Sequence, residues 1–403
     1  MDTTVLLIFI FVYTGMILGR IPGLALDRTG VALLGAIALI AFDRVTPEDA
    51  VNAIDVATMA LLFGLMVVSA QFRLGGAYTR IVRHLTATRL SPPLMLGVLV
   101  FVSGLLSAVL ANDIVVLAMT PVLIEACARK GLDPLPFLLG LATGANVGSA
   151  ATLIGNPQNM LIGQKLNLSF STYLWQAGIP SLLGMAVIWG VIGWLYRGRW
   201  RKATHAVLVD TLPFDRWQTI KATLITVALM ALFLFSPWPR DILAITAAGV
   251  LLASRKLSSR SMLGQVDWQL LVLFVGLFIV NHALASSGLL GQMMAFAQQQ
   301  GVDVHQPITL FFSVIVLSNL VSNVPSTMFL LPSATHPLAG PILGLAGTFA
   351  GNLFIVGSIA NIIVVEQASI LNVKITWRDH ARVGVPVTIG CLAIAALWLW
   401  LIS

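Results

Sequence analysis

Four short polar stretches interrupt an otherwise apolar chain, and their residue types suit the coordination of ions and small molecules. The first is Gly155-Asn156-Pro157-Gln158-Asn159, inside AATLIGNPQNMLIG. Pro157 lacks an N–H and disfavours helical geometry at Asn156, and Gly155 tolerates unusual dihedrals. The helix should therefore unwind here and free backbone carbonyls for a cation. The half-helix that restarts beyond the break offers N–H groups and a positive dipole end, suited to an anion. Asn156, Gln158 and Asn159 can act as ligands or satisfy the freed backbone. A second break, Gly357-Ser358-Ile359-Ala360-Asn361, lacks the proline. The other two stretches are Asn112-Asp113 and Ser322-Asn323, the latter followed by Ser326 and Thr327. Asp113 is the sharpest of these residues, because an ionised Asp at mid-membrane costs about 2.5 to 3.5 kcal/mol even on a lenient insertion scale. A bound cation or proton would offset that cost; a buried helix cap is the structural alternative.

Such residues need elements that hold them at depth in a bilayer, and the composition supplies them. The 403 residues are 58% hydrophobic and only 10% charged, with a mean hydropathy of +0.94, whereas a soluble domain carries about 25% charged residues. Spans are expected at 4–19, 29–42, 54–72, 136–164, 175–196, 218–236, 241–254, 268–284, 340–372 and 383–402. Two further apolar stretches, 93–127 and 308–335, are too long for one span and carry their polar residues at the centre. They read as re-entrant helical hairpins, since irregular backbone at that depth survives only when buried in protein or lining a cavity. The two polar breaks fall inside 136–164 and 340–372, which are expected to be broken helices. The fold class is thus an all-α polytopic membrane protein of about ten or eleven spans with two hairpins and two unwound helices at the midplane.

The net charge of +7 comes from Lys and Arg clustered between spans, which read as topology signals and not as a nucleic-acid surface. With the N-terminus outside, 20 of the 23 basic residues fall in cytoplasmic loops, leaving Arg44, Lys165 and Arg240 outside. The same count puts the C-terminus outside and opens 93–127 to the cytoplasm and 308–335 to the exterior. Segment 197–217 is the longest polar interruption and the expected cytoplasmic linker between a repeat at 1–196 and a second at 218–403. Trp200, Trp217, Trp238, Trp268 and Trp377 lie near span ends, as interfacial anchors do. Asp2, in place of a basic leader, argues that 4–19 is a retained span. Cys127 and Cys391 have no metal-ligand spacing, so no cofactor is expected beyond a coupling ion.

Each half reads as three spans, a hairpin and two spans, and the odd number of crossings inverts the second half. ANDIVVLAMTP aligns with SNVPSTMFLLP at a shift of 211 residues, matching Asn112 to Asn323; GNPQN aligns with GSIAN at 202, matching Gly155 to Gly357 and Asn159 to Asn361. Secondary transporters are commonly built this way, with substrate and coupling-ion sites where broken helices of both repeats meet. An intramembrane hydrolase would need a second carboxylate or an activated serine with a base, and the sequence offers one mid-span Asp; no enzyme is expected. A passive channel would also expose backbone, but paired inverted breaks favour a closed midplane site.

These four motifs resemble the ion transporter superfamily that includes citrate-transporter-like permeases, divalent anion/sodium symporters, arsenite permeases and a sodium/proton antiporter branch. They look closest to bacterial inner-membrane anion permeases of that superfamily. The resemblance implies alternating-access transport of a small anion, coupled to sodium or protons, and frequent homodimers. It matches Asn112, Ser322 and Asn323 to hairpin-tip residues that hold substrate, and Gly155 to Asn159 and Gly357 to Asn361 to sodium-site loops. Asn112, Asp113, Asn156, Gln158 and Asn159 would then form one half-site, and Ser322, Asn323, Ser326, Thr327, Gly357, Ser358 and Asn361 the other. Ala111, Asp113 and Val324 depart from the symporter pattern by removing hydroxyls and adding a charge. An Asn-Asp tip is similar to that of arsenite permeases, whose substrate is neutral, so a proton-coupled arsenite or antimonite exporter is the alternative, alongside a sodium/proton antiporter.

Overall fold

Many of the helices in this chain begin where the sequence supplies a capping side chain. In a computed structural model, which describes residues 2–19, 21, 23–202 and 212–403, the chain forms helices joined by short connections. The first ten are α1 (Thr3–Leu18), α2 (Arg28–Ala41), α3 (Pro47–Ala53), α4 (Val56–Leu74), α5 (Ala77–Ala87), α6 (Pro92–Val109), α7 (Asn112–Lys130), α8 (Pro134–Ser149), α9 (Pro157–Lys165) and α10 (Phe170–Leu195). The second ten are α11 (Arg216–Phe235), α12 (Arg240–Leu252), α13 (Ser259–Leu263), α14 (Trp268–Ser286), α15 (Leu289–Gln299), α16 (Pro307–Val321), α17 (Asn323–Leu330), α18 (Ala339–Ala350), α19 (Ile359–Ile370) and α20 (Trp377–Leu401). Among the described residues there is no sheet, only an isolated bridge between Leu132 and Arg201. Much of the scarce acidic charge sits at helix starts: Asp2, Asp27, Asp55, Asp133, Asp215 and Asp267 each accept a first-turn N–H.

Six helices are long and apolar enough to cross a bilayer, namely α4, α6, α10, α11, α14 and α20, and shorter apolar helices fill the remaining positions. The expected hairpins are α6–α7 and α16–α17, and the expected broken helices are α8–α9 and α18–α19. Sequence reading placed no helix at α3, α5 or α13, which are short or amphipathic. In α5, Ala77, Tyr78, Val82 and Leu85 are buried while Arg80, Arg83 and His84 face out, so residues read as loop charges stand on a structured face. Trp200 departs from its expected role as an anchor: it is buried against Phe137, with ring centroids 5.9 Å apart, while Trp217, Trp238, Trp268 and Trp377 are exposed. Arg20 and residues 203–211 of the expected linker lie outside the described residues.

Helix for helix, the second ten repeat the order of the first. Their contacts are reciprocal: α4 packs on α12 and α14 on α2, α7 on α19 and α17 on α9, α8 on α20 and α18 on α10. At two of these interfaces small residues allow backbones to touch. A Cβ on Gly64 would lie 2.6 Å from the Ala244 backbone, and one on Gly276 would lie 2.7 Å from that of Ala32. The two contacts are the same contact with partners exchanged, related by a shift of 212 residues that also carries Asp55 onto Asp267.

Candidate functional site

Between α8 and α9 the chain unwinds over Ala150 to Asn156. Asn156 is extended (φ −149°, ψ 160°), and Pro157 takes the first helical position, where a missing N–H leaves no bond unmade. The Asn156 side chain accepts the Asn159 N–H at 2.9 Å and caps α9. The freed carbonyls find a partner in Asn159, whose Nδ2 donates to Thr152 O at 2.8 Å. Gly155 is there because of contact: a Cβ would sit 2.7 Å from Ser107 O at the end of α6. In the second break α18 stops at Ala350, a 3₁₀ turn covers Ile355–Gly357, and Asn361 donates through Nδ2 to Gly351 O at 3.0 Å. Asn361 therefore does for this break what Asn159 does for the first, without a proline.

The hairpin tips are tied down in different ways. Ala111, in the gap between α6 and α7, donates its N–H to Ser69 Oγ of α4 at 3.1 Å. Ser322 turns the chain into α17 at φ 78° and ψ 163°, a backbone state that costs a non-glycine residue about 1–3 kcal/mol. Beneath that tip, Ser326 Oγ donates to Asn323 O at 2.9 Å and lies 2.9 Å from Ser318 Oγ.

These four breaks bring the first turns of α7, α9, α17 and α19 around one small cavity. Asn112 and Asp113 line it from α7, Asn156, Pro157 and Gln158 from α9, Ser322, Asn323 and Val324 from α17, and Ser358 and Ile359 from α19. Its volume is about 20 Å³, enough for one water or a dehydrated ion. Seven of the residues expected from sequence thus converge: Asn112, Asp113, Asn156, Gln158, Ser322, Asn323 and Ser358. Gly155, Asn159, Gly357 and Asn361 form the wall behind and shape the breaks, while Ser326 and Thr327 are buried below the tip and do not line the cavity.

Sequence reading missed the residue that joins the two sides. Asn146 of α8 lines the cavity, donates through Nδ2 to Thr348 O at 2.8 Å and Asn352 Oδ1 at 3.0 Å, and accepts from Ser358 Oγ at 3.1 Å. Thr348 in turn receives Gln158 Nε2 on its hydroxyl at 3.1 Å. The available signal was the shift of 202 residues that relates the breaks, since it carries Asn146 onto Thr348.

Two electrostatic features stand out against this well-bonded frame. Asn112, Asn159, Asn323 and Asn361 each hold a buried side-chain oxygen with no donor among the described residues. A buried acceptor left unpaired costs about 1–3 kcal/mol, and a cation would supply the missing partner. Asp113 is not the cap of α7, a position held by Ala111, but stands in the first turn. Its carboxylate has no hydrogen-bond or ion-pair partner among the described residues, and Asp267 lies within Coulombic range. Carboxamides, carbonyls and one carboxylate form a hard oxygen set, suited to an alkali cation or a proton more than to a transition metal.

With this geometry established, known proteins place the chain. A sequence model of a family described as citrate transporter matches residues 6–342. The chain belongs to the citrate transporter family. As a member it is a multi-pass membrane transporter, consistent with its apolar helices. A 46 kDa membrane protein of Mycobacterium leprae is 27% identical over 100% of this chain and 99% of its own length. A silicon efflux transporter of Oryza sativa is 28% identical over 93% of this chain and 92% of its own. Among solved structures, the YdaH transporter of Alcanivorax borkumensis superposes with a TM-score of 0.57 at 13% identity, covering 99% of this chain and 97% of that one. That likeness concerns the fold, which its own description calls an unusual topology.

Proposed function

We propose that this citrate transporter family member is a secondary active transporter of a small anion, a carboxylate or an inorganic oxyanion, coupled to sodium or protons. The observation that carries this reading is the convergence of four helix N-termini on one small cavity that also holds a carboxylate with no partner among the described residues. Each helix end acts as about half a positive charge, so the four together attract an anion, while Asp113 attracts the cation or proton that travels with it. Asn112, Asn156, Gln158, Ser322, Asn323 and Ser358 would contact substrate, and the unpaired oxygens of Asn112 and Asn323 would face the cation. The small size of the cavity fits a narrowed state of such a transporter, in which release would require the tips to part from the breaks. The reciprocal helix contacts support an inverted repeat in which one hairpin-bearing unit moves against a scaffold. The positive-inside count supports an inner-membrane orientation with both termini outside, and the family resemblance supports a homodimer.

A neutral oxyacid is the second reading, favoured by one observation: Asp113 places negative charge where an anion would sit, which an uncharged arsenite-like or silicic-acid-like molecule tolerates. The silicon efflux activity named for the rice relative is of that chemistry. A thermal-shift panel of carboxylates, oxyanions and neutral oxyacids, each with and without sodium, separates the readings, because a ligand stabilises the state that it binds. Stabilisation by an anion is the expected result, dependent on sodium if sodium is the coupling ion and independent of it if protons are. Stabilisation by neutral oxyacids alone, with growth protection against arsenite on expression, would replace the first reading by the second.

A further inference from the structure

We infer that His380 of α20 is a positioning residue for the second break: it fixes the backbone at Asn352 and, through Asn352 and Asn146, the Ser358 hydroxyl at the cavity wall. Its bearing on transport rests on the reading of that cavity as the substrate site. The second break lacks what holds the first. The shift of 202 residues carries Asn156 onto Ser358 and Pro157 onto Ile359. Asn156 caps α9 with its side chain, and Pro157 sets the first helical residue. Ser358 makes no side-chain cap on α19; its hydroxyl donates instead to Asn146 Oδ1 at 3.1 Å. Of the devices at the first break, the second keeps the carboxamide tie, from Asn361 to Gly351 O at 3.0 Å, and has neither proline nor cap.

His380 supplies the missing hold from another helix. Its ring is 1% exposed, and Nε2 lies 3.0 Å from Asn352 O. A carbonyl only accepts, so Nε2 carries the proton and donates it. The side chain of Asn352 continues the chain: its Oδ1 accepts from Asn146 Nδ2 at 3.0 Å, and Asn146 in turn accepts from Ser358. Three hydrogen bonds thus run from α20 to a hydroxyl that lines the cavity. Gly384, one turn further along α20, makes room for the approach, since a Cβ there would collide with Asn352 O. The fold itself does not demand this bond. α20 packs on α18 as α10 packs on α8, and the two outer helices start alike, at Thr376 and Ser169. That shift of 207 residues carries Tyr173 onto His380 and Ala177 onto Gly384. Tyr173 is as deeply buried as His380, yet its hydroxyl has no partner among the described residues. Histidine and glycine therefore replace tyrosine and alanine in the helix that faces the break without proline or cap.

The test follows backbone hydrogen exchange in the full chain purified in a neutral detergent, together with maleimide labelling of a cysteine placed at Val324 in the cavity. His380→Leu removes the donor and should speed exchange across residues 351–358 on the order of tenfold, with residues 150–156 unchanged. Labelling at the cavity should rise with it. His380→Gln, whose amide still reaches the carbonyl, should restore most of the protection and lower the labelling again, and Tyr173→Phe should behave as wild type. If His380→Leu does not fold, His380→Asn, too short to reach Asn352 O, takes its place in the comparison. Unchanged exchange at 351–358, or no recovery in His380→Gln, would overturn the assignment. An equal rise at both breaks would show a general loosening and overturn it as well. Because no substrate enters the experiment, these outcomes decide the role of His380 alone, whereas a ligand panel without a hit would count against the transport reading and leave the hold on the break standing.

Discussion

Asn146 shows how much of this site rests on single carboxamides. It is buried, it bonds to Thr348, Asn352 and Ser358, and all three partners lie in the other set of helices. Asn146→Ala removes one group and strands several, at about 1–3 kcal/mol for each buried group left unpaired. The unfolding midpoint should fall by several degrees and transport should be lost; an unchanged midpoint would mean that the bonds between the sets contribute nothing. Sequence alone made Asn156, Gln158 and Asn159 conspicuous because they surround a proline. Asn146 sits in an unbroken apolar helix, where only its relation to Thr348 distinguishes it. The same limit applies to Asn159, which the sequence allows as a ligand or as a tie for the freed backbone: its Nδ2 ties Thr152 O while its Oδ1 has no partner among the described residues, and only the fold decides where each points.

At the scale of elements, the breaks were legible and the short helices were not. Gly, Pro and Asn have strong local preferences, so the break was legible at Gly155-Asn156-Pro157, although the unwinding starts earlier, at Ala150, where the sequence carries no such signal. The amphipathic α5 packs one face on α7, a contact with no local signature. The roles at the first break are separable. Asn156 caps α9 whether or not Pro157 follows it, whereas a side chain at Gly155 would meet the backbone of Ser107 and Ser149. Gly155→Ala should therefore abolish transport, and Pro157→Ala should retain a substantial part of it. The reverse order, measured by uptake into vesicles at matched expression, would show that proline and not close packing makes the break. At the start of α11, Asp215 accepts the Gln218 N–H and pairs with Lys256 at 3.4 Å, which hold its carboxyl below the ordinary carboxylate range. That contribution is present above the ordinary value and lost as pH falls through the lowered one. Wild type and Asp215→Ala should thus differ in unfolding midpoint at neutral pH and converge in acid; parallel curves would contradict the assignment.

Across the whole molecule, the repeat expected from the sequence rests on its polar breaks, and the reciprocal interfaces that agree with it carry no signal in the sequence. The alignment at the tips and breaks follows from a few polar identities, while the matched contacts of Gly64 with Ala244 and Gly276 with Ala32 involve residues too common in apolar sequence to be noticed. Asp55 at the start of α4 meets Lys165 at the end of α9, 2.7 Å apart, but the shift of 202 residues carries Lys165 onto Gln367. Arg240 of α12 holds the same end of α9 through Gly163 O at 3.0 Å. If the proposed alternating access moves α9 against α4 and α12, these bonds would be confined to one state. Lys165→Gln should shift the population away from it, read as increased labelling of a cysteine placed at Val324 in the closed cavity; unchanged labelling would mean that the pair is a surface contact of no consequence.

The central claim is that the cavity where four helix ends meet Asp113 couples an ion to a substrate. The direct measurement is uphill accumulation by purified protein in liposomes under an imposed sodium or proton gradient, for wild type and Asp113→Asn, using the substrate found by the stabilisation panel. Wild type should concentrate substrate above its equilibrium level, and Asp113→Asn should still be stabilised by substrate yet fail to accumulate it. Accumulation by Asp113→Asn as steep as that of wild type would contradict the account.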